Sequence, residues 1–330
     1  MIKRRLIGIL PVLLGVSLIV FVVLRLAPGD PVSMLVPDGG SQEEIERITR
    51  EWGLDRSIPM QYWEFLRRAV QGDFGQSYKY AEPVSRVVLE RMPATIELAV
   101  LSLLISTVVA IPIGIFSAIR HNSLWDHSFM GLALVGTSIP PFWLGIMLII
   151  LLGGDLNLLP VSGRLSYGVE LKSVTGLYLV DSLLTLNGKA FVDAARHIVM
   201  PSFTLGIVMA AMAARITRSS MLDVLRQDYV TMARIKGLSE RTVIWKHCMR
   251  NSLCTIVTIL GIQLGTLMAG SIIVETVFSW PGMGSLLIQA ISYRDYRVVQ
   301  FIVLLFALIY VAVNLIVDVL YVWVDPRVRV

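Results

Sequence analysis

Six apolar runs constrain this chain more than any other feature of its sequence. Five are near or above the twenty residues that an α-helix needs to cross about 30 Å of hydrocarbon, and the fourth, which is shorter, extends backward through His197–Pro201. Charged residues make up 16% of the 330 residues, whereas soluble proteins carry about 25%. The sequence therefore predicts an all-α polytopic membrane protein and excludes a soluble enzyme. The six predicted transmembrane helices are Leu6–Ala27, Ile96–Ile119, Phe129–Leu152, Phe203–Ile216, Ile256–Val274 and Phe301–Val324.

The distribution of charge predicts the orientation of these spans. Lys and Arg in short loops favour the cytoplasmic side of a membrane. With a cytoplasmic N-terminus, the segments on that side hold 13 basic and 5 acidic residues, and the remainder holds 16 basic and 19 acidic residues. We therefore expect both termini in the cytoplasm. The basic residues flank spans embedded in a lipid bilayer instead of forming one patch, which argues against nucleic acid as a partner.

The spans divide the chain into three predicted parts. Residues 1–28 form an N-terminal transmembrane helix, residues 29–95 an extracytoplasmic region, and residues 96–330 a core domain with five transmembrane helices. The extracytoplasmic region contains one amphipathic stretch, Gln42–Trp52. Between the third and fourth spans, the apolar run Leu177–Leu186 is too short to cross a bilayer and predicts a re-entrant or interfacial helix.

Five polar residues in or beside the spans are candidates for function. A polar side chain in hydrocarbon is costly, so it either pairs within the protein or lines a pathway, and the sequence leaves both roles open. Arg25 and Glu275 lie near the outer ends of their spans and form a candidate pair. The other three candidates are Gln263, Asn314 and Asp318, of which the last two are one helical turn apart.

Prolines and small residues predict how the spans bend and pack. Pro112 and the pair Pro140–Pro141 interrupt the second and third spans, where they are expected to kink the helices. Gly261, Gly265 and Ala269 recur every four residues on the fifth span and predict a face of close helix approach.

The loop over residues 219–252 is predicted to form two short helices. Gly237 is a typical residue after a helix end, and Ser239 is expected to cap the second helix, which runs through His247. The first helix carries an apolar stripe at helical spacing. It comprises Leu222, Leu225, Tyr229, Met232 and Ala233.

The letters of this loop carry a resemblance to a known family. Residues 228–239 read D-Y-V-T-M-A-R-I-K-G-L-S, and residues 246–253 read K-H-C-M-R-N-S-L. They resemble the EAA loop of ABC importer permeases, whose spacing Ala233, Gly237 and His247 fit. Thr231 and Met232 replace a generic Glu and Ala, as in the dipeptide, oligopeptide and nickel branch. Residues 25–31, 53–55, 72–77, 92–98, 277–284, 294–296 and 318–327 resemble the same branch.

This resemblance implies a type I ABC importer permease fold with a cytoplasmic coupling helix. In such permeases the loop docks in a groove on a separate ATPase subunit, which agrees with a short helix that carries apolar and basic residues. Arg234 and Lys236 are expected to pair with acidic residues of that partner. The coupling residues implied are Tyr229, Thr231, Ala233, Arg234, Lys236, Gly237 and His247.

The resemblance also implies a division of labour among subunits. The chain lacks the G-x-x-x-x-G-K-[ST] loop that binds nucleotide phosphates, so we expect a non-catalytic subunit without cofactor, and ATP bound by the ATPase subunits. A second homologous permease, in a heterodimer, and an extracytoplasmic solute-binding protein complete the expected importer in a bacterial inner membrane. The four histidines are scattered along the sequence, so no metal site is expected.

Di- or oligopeptides are the leading expectation for the solute. Nickel complexes, glutathione or another small solute stay open within the same family. An ion-coupled secondary transporter is the alternative from a different class. That class typically has paired broken helices with charges near the membrane midplane, whereas the charges here cluster at the span ends.

Overall fold

The computed structural model describes residues 2–26, 42–51 and 55–324, and within these ranges it is helical without β-strands. Long apolar helices are joined by short helices and loops. The elements are α1 (Ile2–Leu26), α2 (Gln42–Glu51), α3 (Ile58–Val70), α4 (Val84–Leu89), α5 (Met92–Ile119), α6 (Leu124–Ser138), α7 (Pro141–Leu148, continued as a π-helix over Ile149–Asp155), α8 (Tyr178–Leu184), α9 (Gly188–Leu225), α10 (Asp228–Ile235), α11 (Glu240–Thr242, continued as a π-helix over Val243–Met249), α12 (Arg250–Gly270), α13 (Ile272–Val277), α14 (Met283–Ser292) and α15 (Tyr296–Val324).

The six predicted spans are confirmed as five helical segments and one bent pair. Within the described ranges, five segments are long and apolar enough to cross a membrane, and the pair α6–α7 gives a sixth if it counts as one span. This pair is bent by 96°. The bend lies at the predicted proline pair, because Ile139 and Pro140 both adopt extended backbone angles, as residues preceding proline commonly do.

The fourth span is much longer than predicted. In place of Phe203–Ile216, α9 runs through 38 residues from Gly188 to Leu225. Asn187 is the N-cap of this helix, and its side chain accepts a hydrogen bond from the amide of Ala190 at 3.0 Å. The polar residues near its two ends hid this length from a search for apolar runs. The rest of the protein buries 67% of the most apolar 18-residue window of this helix.

Small side chains allow the central helices to approach one another. Four alanines of α5 and α9 form a buried cluster between the two helices: Ala110, Ala210, Ala213 and Ala214. On α12, the predicted close-approach face is confirmed and meets α15. A Cβ atom added to Gly261 would collide with Val317, and one added to Gly265 would lie 2.8 Å from Tyr310. Larger residues at either glycine would therefore separate the two helices.

The predicted boundaries of the loop over residues 219–252 are wrong in two places. Leu222 and Leu225 belong to the end of α9, not to the first loop helix, which is only α10. The predicted second helix is not a separate element, because α11 continues through the π-helix into α12. The fifth span consequently begins at Glu240 and not near Ile256, and its helix ends at Gly270, before the short α13.

The outer segments contain the predicted short helices. The amphipathic stretch Gln42–Trp52 forms α2, with Trp52 outside the described residues. The run Leu177–Leu186 forms α8, whose Asp181 is fully buried and accepts hydrogen bonds from Val174, Thr175 and Gly176. Burial acts to raise the pKa of Asp181, but these hydrogen bonds outweigh it and hold the pKa below its ordinary value. The three-part division of the chain stays a prediction.

Candidate functional site

The candidate site is α10 together with the turn that follows it, between the ends of two long helices. α10 ends in a reverse turn of the Schellman type, in which Gly237 N–H donates to the carbonyl of Arg234 at 2.9 Å and Leu238 N–H to that of Ala233 at 3.3 Å. Gly237 has φ +77°, a conformation that costs other residues about 1–2 kcal/mol. Ser239 then caps α11, because its hydroxyl accepts a hydrogen bond from the amide of Thr242. Both predicted turn residues are confirmed.

One face of α10 is fixed to the helices beneath it. Val230 and Ala233 are buried in a cluster that receives side chains from α5, α9 and the π-helix before α12. The cluster therefore joins α10 to three transmembrane helices at once, and a displacement of α10 would reach all three. Its other buried members are Ile115, Ala118, Met221, Val243 and Cys248.

The opposite face of α10 is apolar and open. Ile235 is 74% exposed and Met232 56% exposed. Tyr229 and Leu238 are also exposed, as is Thr231. Large apolar side chains grouped on a short helix at the edge of a protein indicate a surface that binds another protein.

The polar residues of the loop mainly brace the loop itself. Arg234 pairs with Glu240 of the same loop at 2.8 Å, and both side chains are exposed; pairing of Arg234 with a partner subunit stays a prediction. The hydrogen bond to Glu240 raises the pKa of Arg234. Asn251 donates hydrogen bonds to the Tyr229 hydroxyl at 2.8 Å and to the backbone carbonyl of His247 at 2.7 Å. Lys236 is exposed and His247 is half-buried.

A second polar contact fixes the end of α9 beside this site. Arg218 of α9 forms a two-pronged ion pair with Asp126 of α6, with nitrogen–oxygen distances of 2.6 and 2.7 Å. Asp126 also accepts a hydrogen bond from the backbone amide of Asn122 at 3.0 Å. A cavity of about 330 Å³ lies between this region and α10, and its lining includes His121, Arg226 and Arg234.

The candidate pair of Arg25 and Glu275 is not formed. Arg25 donates to the side-chain oxygen of Gln61 at 2.7 and 2.9 Å. Glu275 is fully buried and accepts hydrogen bonds from Thr95, Ser271 and the amide of Ser285 at 2.9–3.0 Å. Arg25 and Glu275 therefore have separate partners, because hydroxyl and amide donors surround the carboxylate of Glu275.

The remaining intramembrane candidates lie in different surroundings. Gln263 is buried, accepts a hydrogen bond from Ser106 at 3.1 Å and donates one to the carbonyl of Met209 at 2.9 Å, so it links α12 to α5 and α9. Asn314 and Asp318 are half-buried on α15. A pathway role for these residues stays a prediction. Within the described ranges, no group of three His, Cys, Asp or Glu residues is placed to hold a metal ion.

Sequence reasoning missed two buried carboxylates. Glu97 forms an ion pair of 2.6 Å with Arg164, and both side chains are 6% exposed. Asp295 is fully buried and accepts hydrogen bonds from the Ser77 hydroxyl at 2.5 Å and the Tyr78 amide at 2.9 Å. The partners lie 67 and 218 residues away along the chain. For Glu97, the signal in the sequence was a charged residue within an otherwise apolar stretch, which indicates a buried polar contact.

The family described as "Binding-protein-dependent transport system inner membrane component" matches residues 110–330, and its N-terminal companion family matches residues 1–99. The chain belongs to this family. Its members are multi-pass inner-membrane permease subunits of ABC importers, which operate with ATPase subunits and binding proteins.

Several relatives are similar over the full chain. The dipeptide transport system permease protein DppB of Escherichia coli K12 is 43% identical, with 99% of this chain and 98% of that protein covered. The di/tripeptide permease DppB of Pseudomonas aeruginosa UCBPP-PA14 is 42% identical with the same coverage. The glutathione permease GsiC of Salmonella choleraesuis SC-B67 is 37% identical, with 99% and 97% covered.

A solved structure supports the fold independently. The inward-facing MetNI methionine ABC transporter matches with a TM-score of 0.54, covering 72% of this chain and 96% of the matched chain. The sequence identity is 16%, so this match shows the type I permease fold alone.

Gly237 offers a test of the turn after α10. We expect Gly237→Val to lower transport per ATP hydrolysed about 5- to 30-fold, because a left-handed β-branched residue costs at least about 1–2 kcal/mol and would reorient the exposed face. Asn tolerates this conformation, and a Cβ at residue 237 meets nothing within 4 Å. Gly237→Asn should therefore retain coupling in the reconstituted importer. Normal coupling in the Val variant would contradict the role of the turn.

Proposed function

We propose that this chain forms one half of the transmembrane pathway of an ATP-driven importer for di- and oligopeptides. The observation that carries the proposal is α10, which has an open apolar face on one side and is fixed on the other side by a buried cluster shared with three long helices. An ATPase subunit bound to that face would move the spans as it closes on ATP. Peptide as the solute rests on the two peptide permeases at 42–43% identity over the full chain.

The chain itself is proposed to bind no ATP and to catalyse no reaction. Its sequence has no phosphate-binding loop of the Walker type, so hydrolysis falls to the ATPase subunits. A second, homologous permease subunit supplies the other half of the pathway, and an extracytoplasmic binding protein delivers the solute. Glutathione is a second candidate solute, because a glutathione permease is 37% identical over the same length.

Reconstitution of the importer tests this proposal. The chain is assembled in vesicles with its partner permease, ATPases and binding protein, and uptake of a labelled dipeptide, labelled glutathione and a nickel complex is compared. We expect dipeptide uptake that requires ATP on the ATPase side, and no ATP hydrolysis by this chain alone. Uptake of only glutathione or nickel would transfer the proposal to that solute. ATP hydrolysis by the isolated chain would refute the division of labour.

We also propose that both termini and α10 lie in the cytoplasm. Cysteine labelling tests this in a background where Cys248 and Cys254 are alanine, since Cys248 is buried and a poor probe. Tyr167 is fully exposed between α7 and α8, and Arg241 is exposed in α11. An impermeant maleimide should label Tyr167→Cys in cells with a permeabilised outer membrane, but Arg241→Cys only after lysis of the inner membrane. The reverse pattern would invert the topology.

A further inference from the structure

The helix α3 carries three distinct faces. Gln61, Tyr62 and Phe65 contact α1. A second face is charged and includes Glu64, Arg67 and Arg68, with Glu64 paired to Arg68 at 2.9 Å. The third face is an apolar stripe at helical spacing, formed by Trp63, Leu66 and Val70, in which Trp63 is 65% and Val70 89% exposed.

The contacts with α1 fix how deep α3 lies. The rings of Tyr62 and Phe65 pack against Phe21 with centroid separations of 5.1 and 6.1 Å. The Tyr62 hydroxyl also forms a hydrogen bond with the Ser17 hydroxyl at 2.9 Å. α3 therefore crosses α1 at the level of Phe21, five residues before Leu26.

This level lies inside the apolar span. The span runs over Gly8–Leu26, so Phe21 is five residues from its end, or roughly 7.5 Å at 1.5 Å per residue. Only 11% of the span is buried within the chain, and Leu18, Ile19 and Val22, which are close to Phe21 along α1, are exposed. Amphipathic helices that lie on membranes sit about 5–10 Å into the boundary between headgroups and acyl chains.

We propose that α3 is an interfacial membrane helix seated in the lipid leaflet that borders the C-terminal end of α1. Its apolar stripe of Trp63, Leu66 and Val70 contacts acyl chains, continuing the exposed apolar surface of α1. Arg67 and Arg68 lie at the level of the phospholipid phosphates, whose negative charge they complement. The occupant of this surface is thus lipid, and the inference depends on neither the solute nor the orientation of the chain.

Nitroxide accessibility tests this inference in the assembled importer in nanodiscs of neutral and anionic phospholipid. The labels are placed at Trp63→Cys and Val70→Cys, with Arg67→Cys as the matched position on the charged face and Tyr167→Cys as the aqueous reference. The background lacks Cys248 and Cys254. We expect collisions with oxygen to exceed those with a water-soluble nickel chelate several-fold at residues 63 and 70, and the opposite preference at residues 67 and 167.

Two results would overturn the proposal. Nickel access at residues 63 and 70 equal to that at residue 167 would place the stripe in water. Protection of residues 63 and 70 from both quenchers would show that another protein covers the stripe, either the second permease subunit or the binding protein. The Val70 label keeps the test decisive if Trp63→Cys fails to assemble, because Val70 is the more exposed residue of the two.

Discussion

Replacement of Ile235 by Glu is expected to abolish transport while the chain still folds. Ile235 is 74% exposed on the open face of α10, so the isolated subunit loses little packing. In the complex the same side chain would be buried against the ATPase, and an unpaired charge there is costly. Hot-spot residues near the centre of an interface cost about 2 kcal/mol or more when they are changed, so we expect binding of the ATPase to weaken at least about tenfold.

Copurification of the ATPase with the permease measures this effect. Leu186→Glu is the matched control, because Leu186 is 92% exposed at the opposite end of α9 and should leave the ATPase bound. A folded Ile235→Glu variant that retains its ATPase and normal uptake would show that the docking surface lies elsewhere. Loss of the ATPase in the control as well would indicate a general defect of assembly.

Arg164→Met is expected to destabilise the protein by about 3–5 kcal/mol, because it leaves the carboxylate of Glu97 buried without its counter-ion. The two side chains meet at 2.6 Å and are each 6% exposed. The guanidinium also donates to the carbonyl of Gly176 at 2.9 Å and stacks on the ring of Tyr178 at 3.5 Å. The change therefore removes one of the contacts that join α5 to α8 and the loop before it, while the hydrogen bond from the Leu179 amide to Glu97 at 2.7 Å does not depend on Arg164.

Denaturant unfolding in detergent measures this loss, and two variants control it. The double variant Glu97→Gln with Arg164→Met removes both charges and should recover a large part of the stability. Arg86→Met breaks a pair with Glu90 that is 65% and 60% exposed, and exposed pairs contribute little, so no measurable change is expected. If the Arg164→Met variant and the double variant had equal stability, the explanation by an ion pair would be contradicted.

Features decided by a few neighbouring residues could be predicted from the sequence. The turn at Gly237 and the cap at Ser239 depend on local backbone geometry, and the bend at Pro140 follows from the missing amide and restricted angles of proline. The spans themselves were found because lipid requires long apolar helices.

Features decided by distant residues could not be predicted. Arg234 pairs with Glu240 of its own loop. Arg25 donates a hydrogen bond to Gln61, which lies in α3 and not in a transmembrane helix. No local pattern distinguishes these partners from the acidic residues of another subunit or from Glu275. The length of α9 was missed because a search for apolar runs finds only the part of a helix that lies in hydrocarbon, and the 38 residues of α9 extend beyond it.

The uninterrupted course of α9 has a thermodynamic consequence. Its 38 residues extend roughly 57 Å at 1.5 Å per residue, well beyond the 30 Å of hydrocarbon. The N-terminal end of α9 therefore adjoins loops on one side of the membrane. Its C-terminal end adjoins the site that includes α10 on the other side, and the helix between them acts as a single rod. If the rod has two positions, a ligand that binds either end with different affinity in the two positions favours one of them. Linkage then requires that each ligand alters the affinity of the other by the same factor.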